Sequence, residues 1–411
     1  MVTTGERELK VVPGRRPPFL IHAEQEAEER GLYDFPIVDV DSHIADEMDT
    51  RKLAGYMRNP NIVRAFEKYR DLDFRRIFMG WNLGDRPIAA RSKTYGLWED
   101  LPEEIPEGMP RTVAASAQFM DRTGIDYLVS FPTSVLAIGS MPQREMQNEA
   151  IWAYNRWLVE DTIPWDRRIL AMPSLPVNDP EQSLATVRYF ADNPNVVGWM
   201  ITAARVEPVH EREYLPLWAE IEEIGKPVAF HSAPDWKERP FEVMGRFFGP
   251  HGLGFSFYSM LHLTNIVLSG LVERFPKIKW IFIESGQSWV PFVMSRLDQQ
   301  YRMRSSEAPQ LQRLPSEYIR EMYFTTQPFE EHSHEPEVGR AIFDLTNGAQ
   351  SWLYASDYPH HDFDVPGMLY GQSYWSEEEK RAVLGGNAMR LFGLPDELPT
   401  RARRQEAQAR G

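Results

Sequence analysis

The sequence predicts an α/β protein, a (β/α)8 TIM barrel with a long insertion after strand 1. Short apolar runs and longer amphipathic stretches alternate eight times along the 411 residues, and the runs are almost continuously apolar, as in strands covered on both faces. Eight such units match a closed barrel better than an open doubly wound sheet with a cap. No G-x-G-x-x-G or G-x-x-x-x-G-K-[ST] motif follows the first run, so the standard dinucleotide and P-loop fingerprints are absent.

The predicted strands are apolar or β-branched and are bounded by turn residues. They cover residues 37–41, 127–131, 169–173, 196–201, 227–232, 278–284, 322–326 and 352–357. The predicted helices lie between them, and several place apolar residues three and four positions apart. They cover residues 111–123, 145–160, 180–192, 213–225, 259–274, 288–305, 335–347 and 376–392. Helix-start signals at Asp179-Pro180 and at Ser376 support two of these boundaries.

The barrel is predicted to span residues 36–394 as one domain. Residues 45–110 form an insertion rich in Arg and aromatic residues, which we expect to be partly helical and to lie over the active-site face. Residues 232–255 combine Gly, Pro and aromatic residues and predict a second wall of the pocket. The polar ends are interpreted as an N-terminal arm, residues 1–35, and a C-terminal tail, residues 395–411.

Composition excludes several classes of function. Lys and Arg total 45 against 60 for Asp and Glu, and the formal charge of -15 would repel a nucleic-acid backbone. No apolar run approaches the roughly 20 residues that span a bilayer, and the N-terminus lacks the apolar core of a signal peptide, so we expect no membrane association and a cytoplasmic location. Because the chain has no cysteine, His and carboxylate side chains must hold any metal ion.

Polar side chains stand at four predicted strand ends, where catalytic groups of a barrel are found. Strand one ends with Asp41 and His43, which share a face because alternate residues of a strand point the same way. His231 ends strand five, Glu284 ends strand six and Asp357 ends strand eight. Each residue alone is more often a loop-capping hydrogen-bond partner. Together they form a sulfur-free set that suits Zn2+ or Mn2+ with one position open for water or substrate.

Six segments in fixed order carry a family resemblance. They are VDVDSH, FMDRTGID, YLPLWAEIEEIGKPVAFH, GLVERFPKIKWIFIESGQSWVPFVMSRLD, LYASDYPHHD and GGNAMRLFGL. Through them the chain resembles the amidohydrolase superfamily, in the amidohydrolase-related branch that holds the aminocarboxymuconate-semialdehyde, γ-resorcylate and 5-carboxyvanillate decarboxylases. The resemblance implies one divalent ion, Zn2+ first and Mn2+ as the alternative, and a homodimer or larger homo-oligomer.

The resemblance also implies roles for particular residues. Asp41, His43, His231 and Asp357 would be the metal ligands, with Asp357 also carrying a proton. Two positions depart from the family pattern. Asp41 stands where members have His or Glu, and Glu284 stands where many have a histidine, whose role is then taken by His262 or has changed.

Other candidates have two interpretations each. His262 lies in a predicted helix and is either catalytic or a buried structural histidine. His360 either supports Asp357 or contacts a substrate anion. Arg86 and Trp199 are candidates for binding a carboxylated aromatic substrate, with surface or interface roles as the alternative.

Three functions are compatible with these residues. The first is metal-dependent, non-oxidative decarboxylation of a small aromatic or enolic carboxylic acid, with Asp357 as the acid. The second is hydrolysis of an amide, ester, lactone or C–C bond by metal-bound water, which Glu284 favours. The third is a binding or assembly protein that has lost catalysis, and the presence of all four candidate ligands argues against it.

Overall fold

Eight short parallel strands form the centre of the molecule. The computed structural model describes residues 18–410, with gaps at 45–49, 69–100, 103, 134, 137, 142, 203–207, 232–240, 242, 245, 247, 333 and 361. The strands are β1 Val38–His43, β2 Tyr127–Phe131, β3 Ile169–Ala171, β4 Trp199–Thr202, β5 Val228–His231, β6 Trp280–Ile283, β7 Tyr323–Thr325 and β8 Trp352–Leu353. Each of them overlaps one predicted run.

The strands close into a barrel. Parallel ladders join β1, β2 and β3 in one series and β4 to β8 in another, always between neighbours in sequence. The bridge between Ala171 and Val196 connects β3 to the residues before β4, and the bridge between Ser42 and Tyr358 connects β1 to the residues after β8. The predicted (β/α)8 barrel is therefore confirmed.

Helices surround the barrel. They are α1 Pro18–Glu29, α2 Thr50–Ala54, α3 Pro60–Lys68, α4 Arg111–Thr123, α5 Arg144–Arg156, α6 Pro180–Phe190, α7 Leu215–Ile224, α8 Phe248–Leu268, α9 Leu271–Arg274, α10 Trp289–Arg304, α11 Pro315–Ile319, α12 Pro336–Leu345, α13 Gly348–Ser351, α14 Pro366–Tyr370, α15 Glu377–Arg381, α16 Asn387–Phe392 and α17 Pro399–Arg410. Helix α4 has the predicted bounds. Among the described helices, none combines the length and apolar character needed to cross a membrane.

Three predicted helices differ from the structure, and the one expected over 145–160 becomes π-helical from Trp157. The helix expected over 259–274 begins at Phe248 instead. Its first turns contain Pro250 and three glycines, residues that favour a loop. The helix expected over 376–392 is divided by a π-helical segment, Ala382–Gly386. Packing explains the earlier start at Phe248, because Phe255 and Tyr258 are buried in that helix and compensate for poor helix formers.

Alternate strand residues form two apolar layers. Val129, Met200 and Ile281 belong to the cluster inside the barrel, whereas Phe230 and Trp199 belong to the layer between strands and helices. Trp199 begins β4 and is fully buried in that outer layer. Trp199 therefore lies at the amino end of β4, whereas the candidate site residues follow the carboxyl ends of strands. The structure does not place Trp199, a predicted substrate contact, with the site.

The described parts of the two chain ends fold onto the barrel. Helix α1 packs on α4, and α17 packs on the same helix. The Thr400 N–H donates to Asp126 Oδ1 over 3.1 Å, and Arg168 Nη1 donates to Thr400 Oγ1 over 2.8 Å. Arg404 connects α17 to α1 through Glu24, with Nη1 to Oε1 at 2.7 Å. The described part of the C-terminal tail is thus a helix that packs at the amino ends of β2 and β3.

Candidate metal centre and active site

The candidate site lies at the carboxyl ends of four strands. Asp41 and His43 belong to β1, His231 is the last residue of β5, Glu284 directly follows β6, and Asp357 follows β8. All five are buried. Because all eight strands are parallel, their carboxyl ends meet at one face of the barrel, as the sequence predicted.

The backbone is unusual at two of these positions. Glu284 has φ of 49° and Asp357 has φ of 62°, in the left-handed region that residues other than glycine rarely adopt. The Glu284 N–H is held by Thr325 Oγ1 at 3.0 Å, and the Asp357 N–H by the Asp41 carbonyl at 2.7 Å. Such conformations persist where the surrounding structure holds them, and they concentrate at functional sites.

One group of possible ligands contains Asp41, His43, His231 and Glu284. Each offers one atom, and these atoms lie within 4.8 Å of one another. Asp41 Oδ1 is 3.5 Å from His43 Nε2 and 3.4 Å from His231 Nε2, while Glu284 Oε2 is 3.7 Å from His231 Nε2. Two imidazoles and two carboxylates at these separations match the donors that zinc and manganese accept.

A second group contains His43, Asp357 and His360 and shares His43 with the first. Asp357 Oδ1 is 3.1 Å from His43 Nε2 and 2.8 Å from His360 Nδ1. His360 Nε2 lies 3.4 Å from Thr133 Oγ1. His360 is 16% exposed, whereas Asp357 is fully buried. The Asp357–His360 pair thus joins a buried carboxylate to a histidine that is partly exposed at the edge of the site.

Several carboxylate oxygens of the site are buried without a hydrogen-bond donor. No hydrogen bond from the described residues reaches either carboxylate oxygen of Asp41, or Oδ2 of Asp357, although all three atoms are buried. A buried carboxylate oxygen without a partner is costly, and a metal ion compensates for that cost. The donors present therefore fit a divalent ion.

Mutual interactions shift the pKa values of three groups. Burial, together with the neighbouring His360, lowers the pKa of His43. Burial alone would lower the pKa of His360, but the Asp357 carboxylate raises it above its usual value. Burial alone would raise the pKa of Asp357, but His360 and His43 hold it below its usual range. Burial thus favours the neutral form of His43, the form that binds metal ions, while the Asp357 carboxylate favours the protonated form of His360.

Comparison with known proteins decides the family. The amidohydrolase family model matches residues 38–394. The chain belongs to the amidohydrolase family. A γ-resorcylate decarboxylase of Rhizobium radiobacter is 24% identical over 296 residues, which cover 67% of this chain and 86% of the relative. The resemblance to this branch is confirmed, and the chain is an enzyme, a lyase or a hydrolase.

Solved structures share the fold. An amidohydrolase of Mycobacterium avium subsp. paratuberculosis has a TM-score of 0.64 at 21% identity, covering 88% of this chain and 98% of that one. A dihydroxybenzoic acid decarboxylase of a Polaromonas species, solved with manganese and the inhibitor 2-nitroresorcinol, has a TM-score of 0.59 at 18% identity, covering 88% and 97%. These likenesses support the barrel fold.

One further predicted site residue, His262, lies apart from the cluster. His262 stacks on Phe230, with ring centroids 4.8 Å apart. Phe230 and His231 are neighbours in β5 and point to opposite faces, so His262 lies on the outer side of the strand that carries His231. The stacking favours the interpretation of His262 as a buried structural histidine, and its replacement of the family histidine stays a prediction. Arg86 lies outside the described residues.

Sequence reasoning missed three residues around the site. Thr133 approaches His360, as described above, and Phe131 lies 5.3 Å from His231, measured between ring centroids. Ser356 donates hydrogen bonds to Asp39. Their position at or just beyond strand ends was the available signal. This signal is weak, because a threonine, a phenylalanine or a serine at a strand end is common in any barrel.

Proposed function

We propose that this protein is a metal-dependent, non-oxidative decarboxylase of a small aromatic or enolic carboxylic acid. One observation carries the proposal. The Asp357–His360 pair, joined over 2.8 Å, stands beside a buried group of two histidines and two carboxylates. This arrangement offers a proton carrier next to a site for a cation. The names of the relatives described above support the same reaction class.

Asp41, His43, His231 and Asp357 are the proposed metal ligands, with Zn2+ or Mn2+ as the ion. Glu284 belongs to the group formed with Asp41, His43 and His231 and is proposed as a further ligand or as an acid or base. A divalent ion held there would neutralise the negative charge of the substrate carboxylate and of an adjacent oxygen. We keep His360 and Arg86 as proposed contacts for that carboxylate.

The proposed step needs a proton and releases carbon dioxide. Asp357 receives a proton from His360 over their 2.8 Å contact and transfers it to the carbon that bears the carboxylate, forming a C–H bond. The bond between that carbon and the carboxylate then breaks, its electron pair returns to the ring or enol system, and CO2 leaves. His360, bonded to Asp357 and partly exposed, returns a proton from solvent.

The reaction is tested with a panel of hydroxylated benzoates and dienoic acids in D2O. We expect CO2 release and one deuterium on the product carbon with protein loaded with Zn2+ or Mn2+. Asp357→Asn keeps the shape of the side chain but cannot transfer a proton, so turnover should be lost while a substrate analogue still binds. The matched control is Asp298→Asn, because Asp298 accepts hydrogen bonds from Ser316 at 2.8 and 2.9 Å and serves a structural role.

Hydrolysis is the second candidate, and Glu284 favours it. A second buried carboxylate 3.7 Å from His231 is a group that can accept a proton from a metal-activated water. If the panel yields no CO2, while an amide, ester or lactone incorporates labelled water oxygen into a carboxylate product, the decarboxylase proposal is abandoned in favour of hydrolysis.

A further inference from the structure

A buried contact joins β1 to the residues after β8 beneath the candidate ligands. Asp39 Oδ1 accepts a hydrogen bond from the Ser356 N–H at 2.8 Å and from the Asp41 N–H at 3.2 Å. The Ser356 hydroxyl donates to Asp39 Oδ2. Asp39 and Ser356 are both fully buried. We call this contact the Asp39–Ser356 clasp.

The clasp is adjacent to two candidate ligands in the chain. Asp39 precedes Asp41 by two residues, and Ser356 directly precedes Asp357. A further hydrogen bond runs from the Asp357 N–H to the Asp41 carbonyl at 2.7 Å. The position of the Asp41 carboxylate relative to that of Asp357 therefore depends in part on these hydrogen bonds between the two segments.

The clasp lies at the seam where the barrel closes between β8 and β1. Backbone hydrogen bonds also join the two segments there, from the Val40 N–H to the Tyr354 carbonyl at 2.8 Å and from the His43 N–H to the Tyr358 carbonyl at 2.7 Å. Strand β8 is only two residues long, Trp352–Leu353, and in the described chain β1 forms a named ladder with β2 alone. The register of β1 also shifts between Asp39 and Ser42. The clasp thus adds side-chain hydrogen bonds to a seam whose backbone pairing is short and irregular.

We propose that Asp39 and Ser356 are positioning residues that set the separation of Asp41 from Asp357 and thereby determine the affinity for the divalent ion. The inference rests on the metal site of the proposed function. Residues that orient metal ligands from outside the coordination sphere commonly change affinity by about 10- to 100-fold when replaced. A merely structural clasp would change stability but leave affinity intact.

The test measures metal binding by the metal-free protein. Mn2+ is titrated by calorimetry, and Co2+ is followed by its visible absorption spectrum, which reports ligand geometry. Ser356→Ala and Asp39→Ala should weaken binding by about 10-fold or more and alter the Co2+ spectrum. Asp39→Asn retains one oxygen acceptor, so its affinity should fall between those of the wild type and Asp39→Ala.

Ser351→Ala is the matched control. Ser351 is also buried, and its hydroxyl donates to the Thr346 carbonyl at 2.9 Å and to the Asn347 carbonyl at 3.0 Å, before β8 and away from the site. This variant should keep wild-type affinity, while thermal unfolding of its metal-free form shows what loss of a buried hydroxyl does to stability.

The possible outcomes distinguish failure of the positioning role from failure of the metal site. Affinities of Ser356→Ala and Asp39→Asn equal to that of Ser351→Ala would overturn the positioning role while leaving the metal site in place. A wild-type protein that binds neither Mn2+ nor Co2+ would overturn the metal site and the clasp together. If Asp39→Ala does not fold, Ser356→Ala and Asp39→Asn decide the question.

Discussion

At the scale of single residues, His43 contacts both halves of the site. Its Nε2 is 3.5 Å from Asp41 Oδ1 and 3.1 Å from Asp357 Oδ1, and its ring lies 4.2 Å from that of His360, measured between centroids. Because one neutral imidazole faces two carboxylates, the candidate metal group and the proton-carrying pair are coupled through it. A substitution in the candidate metal group should therefore also affect proton transfer by Asp357 and His360.

His231→Ala should remove most bound metal. The imidazole is fully buried and contributes a nitrogen to the group that also holds Asp41 and Glu284, and alanine offers no ligand. The measurement is metal content by mass spectrometry after loading, with circular dichroism to verify the fold. His262→Ala is the matched control, since it removes a buried histidine from the other face of β5. Full occupancy in His231→Ala would exclude it from the site.

Glu284→Gln distinguishes a chemical role from a structural one. Glutamine keeps the size of the side chain but cannot exchange a proton, so a role in acid or base catalysis predicts a loss in kcat on the order of 10²-fold or more with metal retained. A ligand role predicts weaker metal binding as well. Steady-state kinetics together with metal content separate the two, and unchanged values for both would leave Glu284 a structural residue.

At the scale of elements, helix α17 packs at the amino ends of β2 and β3, opposite the site. Arg168 is almost fully buried and pairs with Asp166, with Nη2 to Oδ2 at 2.7 Å, and with Asp121. The Thr400 hydroxyl donates to the Ile125 carbonyl. Buried ionic groups require such complete pairing. The last helix is therefore part of the barrel's support, despite its polar sequence.

Stability should depend on pH through Asp126 at this junction. Burial raises the pKa of Asp126 to about 7, against hydrogen bonds from the Thr400 and Ile37 N–H groups that lower it. Between the unfolded pKa of about 3.9 and the folded value, the native state keeps a proton that the unfolded chain has lost. The free energy of unfolding should therefore fall as pH rises through this window, by at most about 1.4 kcal/mol per unit, and become level above it.

Asp126→Asn cannot titrate and should lack this contribution. Urea unfolding of the metal-free wild type and variant at pH 5, 6, 7 and 8 measures it as a stability difference that shifts in favour of the variant as pH rises. Ser351→Ala provides an uncharged control whose effect should not vary with pH. A constant difference between the wild type and Asp126→Asn would show that Asp126 does not titrate in this range.

At the scale of the whole molecule, the outer face of α8 is exposed and apolar. Leu253 and Leu261 are 55% and 46% exposed, and half-buried Phe257 lies between them at four-residue spacing, so the three share one face. The helix has no Asp, Glu, Lys or Arg over its 21 residues. In a chain with a formal charge of -15, this is a surface where two copies can meet without like-charge repulsion.

We expect a homodimer that uses this face. Light scattering at micromolar concentration should give about twice the chain mass of 47.7 kDa. Leu261→Glu should shift the protein to the monomer, because it places two carboxylates in an apolar contact. Val338→Glu is the control, since Val338 is 39% exposed on another helix, α12. A wild-type mass near that of one chain would contradict the prediction.

The sequence alone determined the barrel and the candidate ligands, because both follow from local pattern. Buried parallel strands require continuous apolar runs, and polar residues such as His231 and Asp357 at their carboxyl ends must meet once the strands are parallel. Tertiary structure decided how those residues are grouped. Glu284 joins Asp41, His43 and His231, whereas Asp357 pairs with His360, and this grouping depends on strand stagger and on left-handed backbone at Glu284 and Asp357.

Tertiary structure also decided the position of His262 relative to the site and the packing of α17 on the barrel. The local pattern of α8 places His262 on a helix but does not determine which side of β5 that helix covers, and packing against Phe230 decides it. The polar sequence of residues 395–411 indicated a tail because its partners, Asp126 and Arg168, are more than 200 residues away in the chain. Contacts between residues so far apart in the sequence leave no trace in the spacing of neighbouring apolar residues, so only the folded chain reveals them.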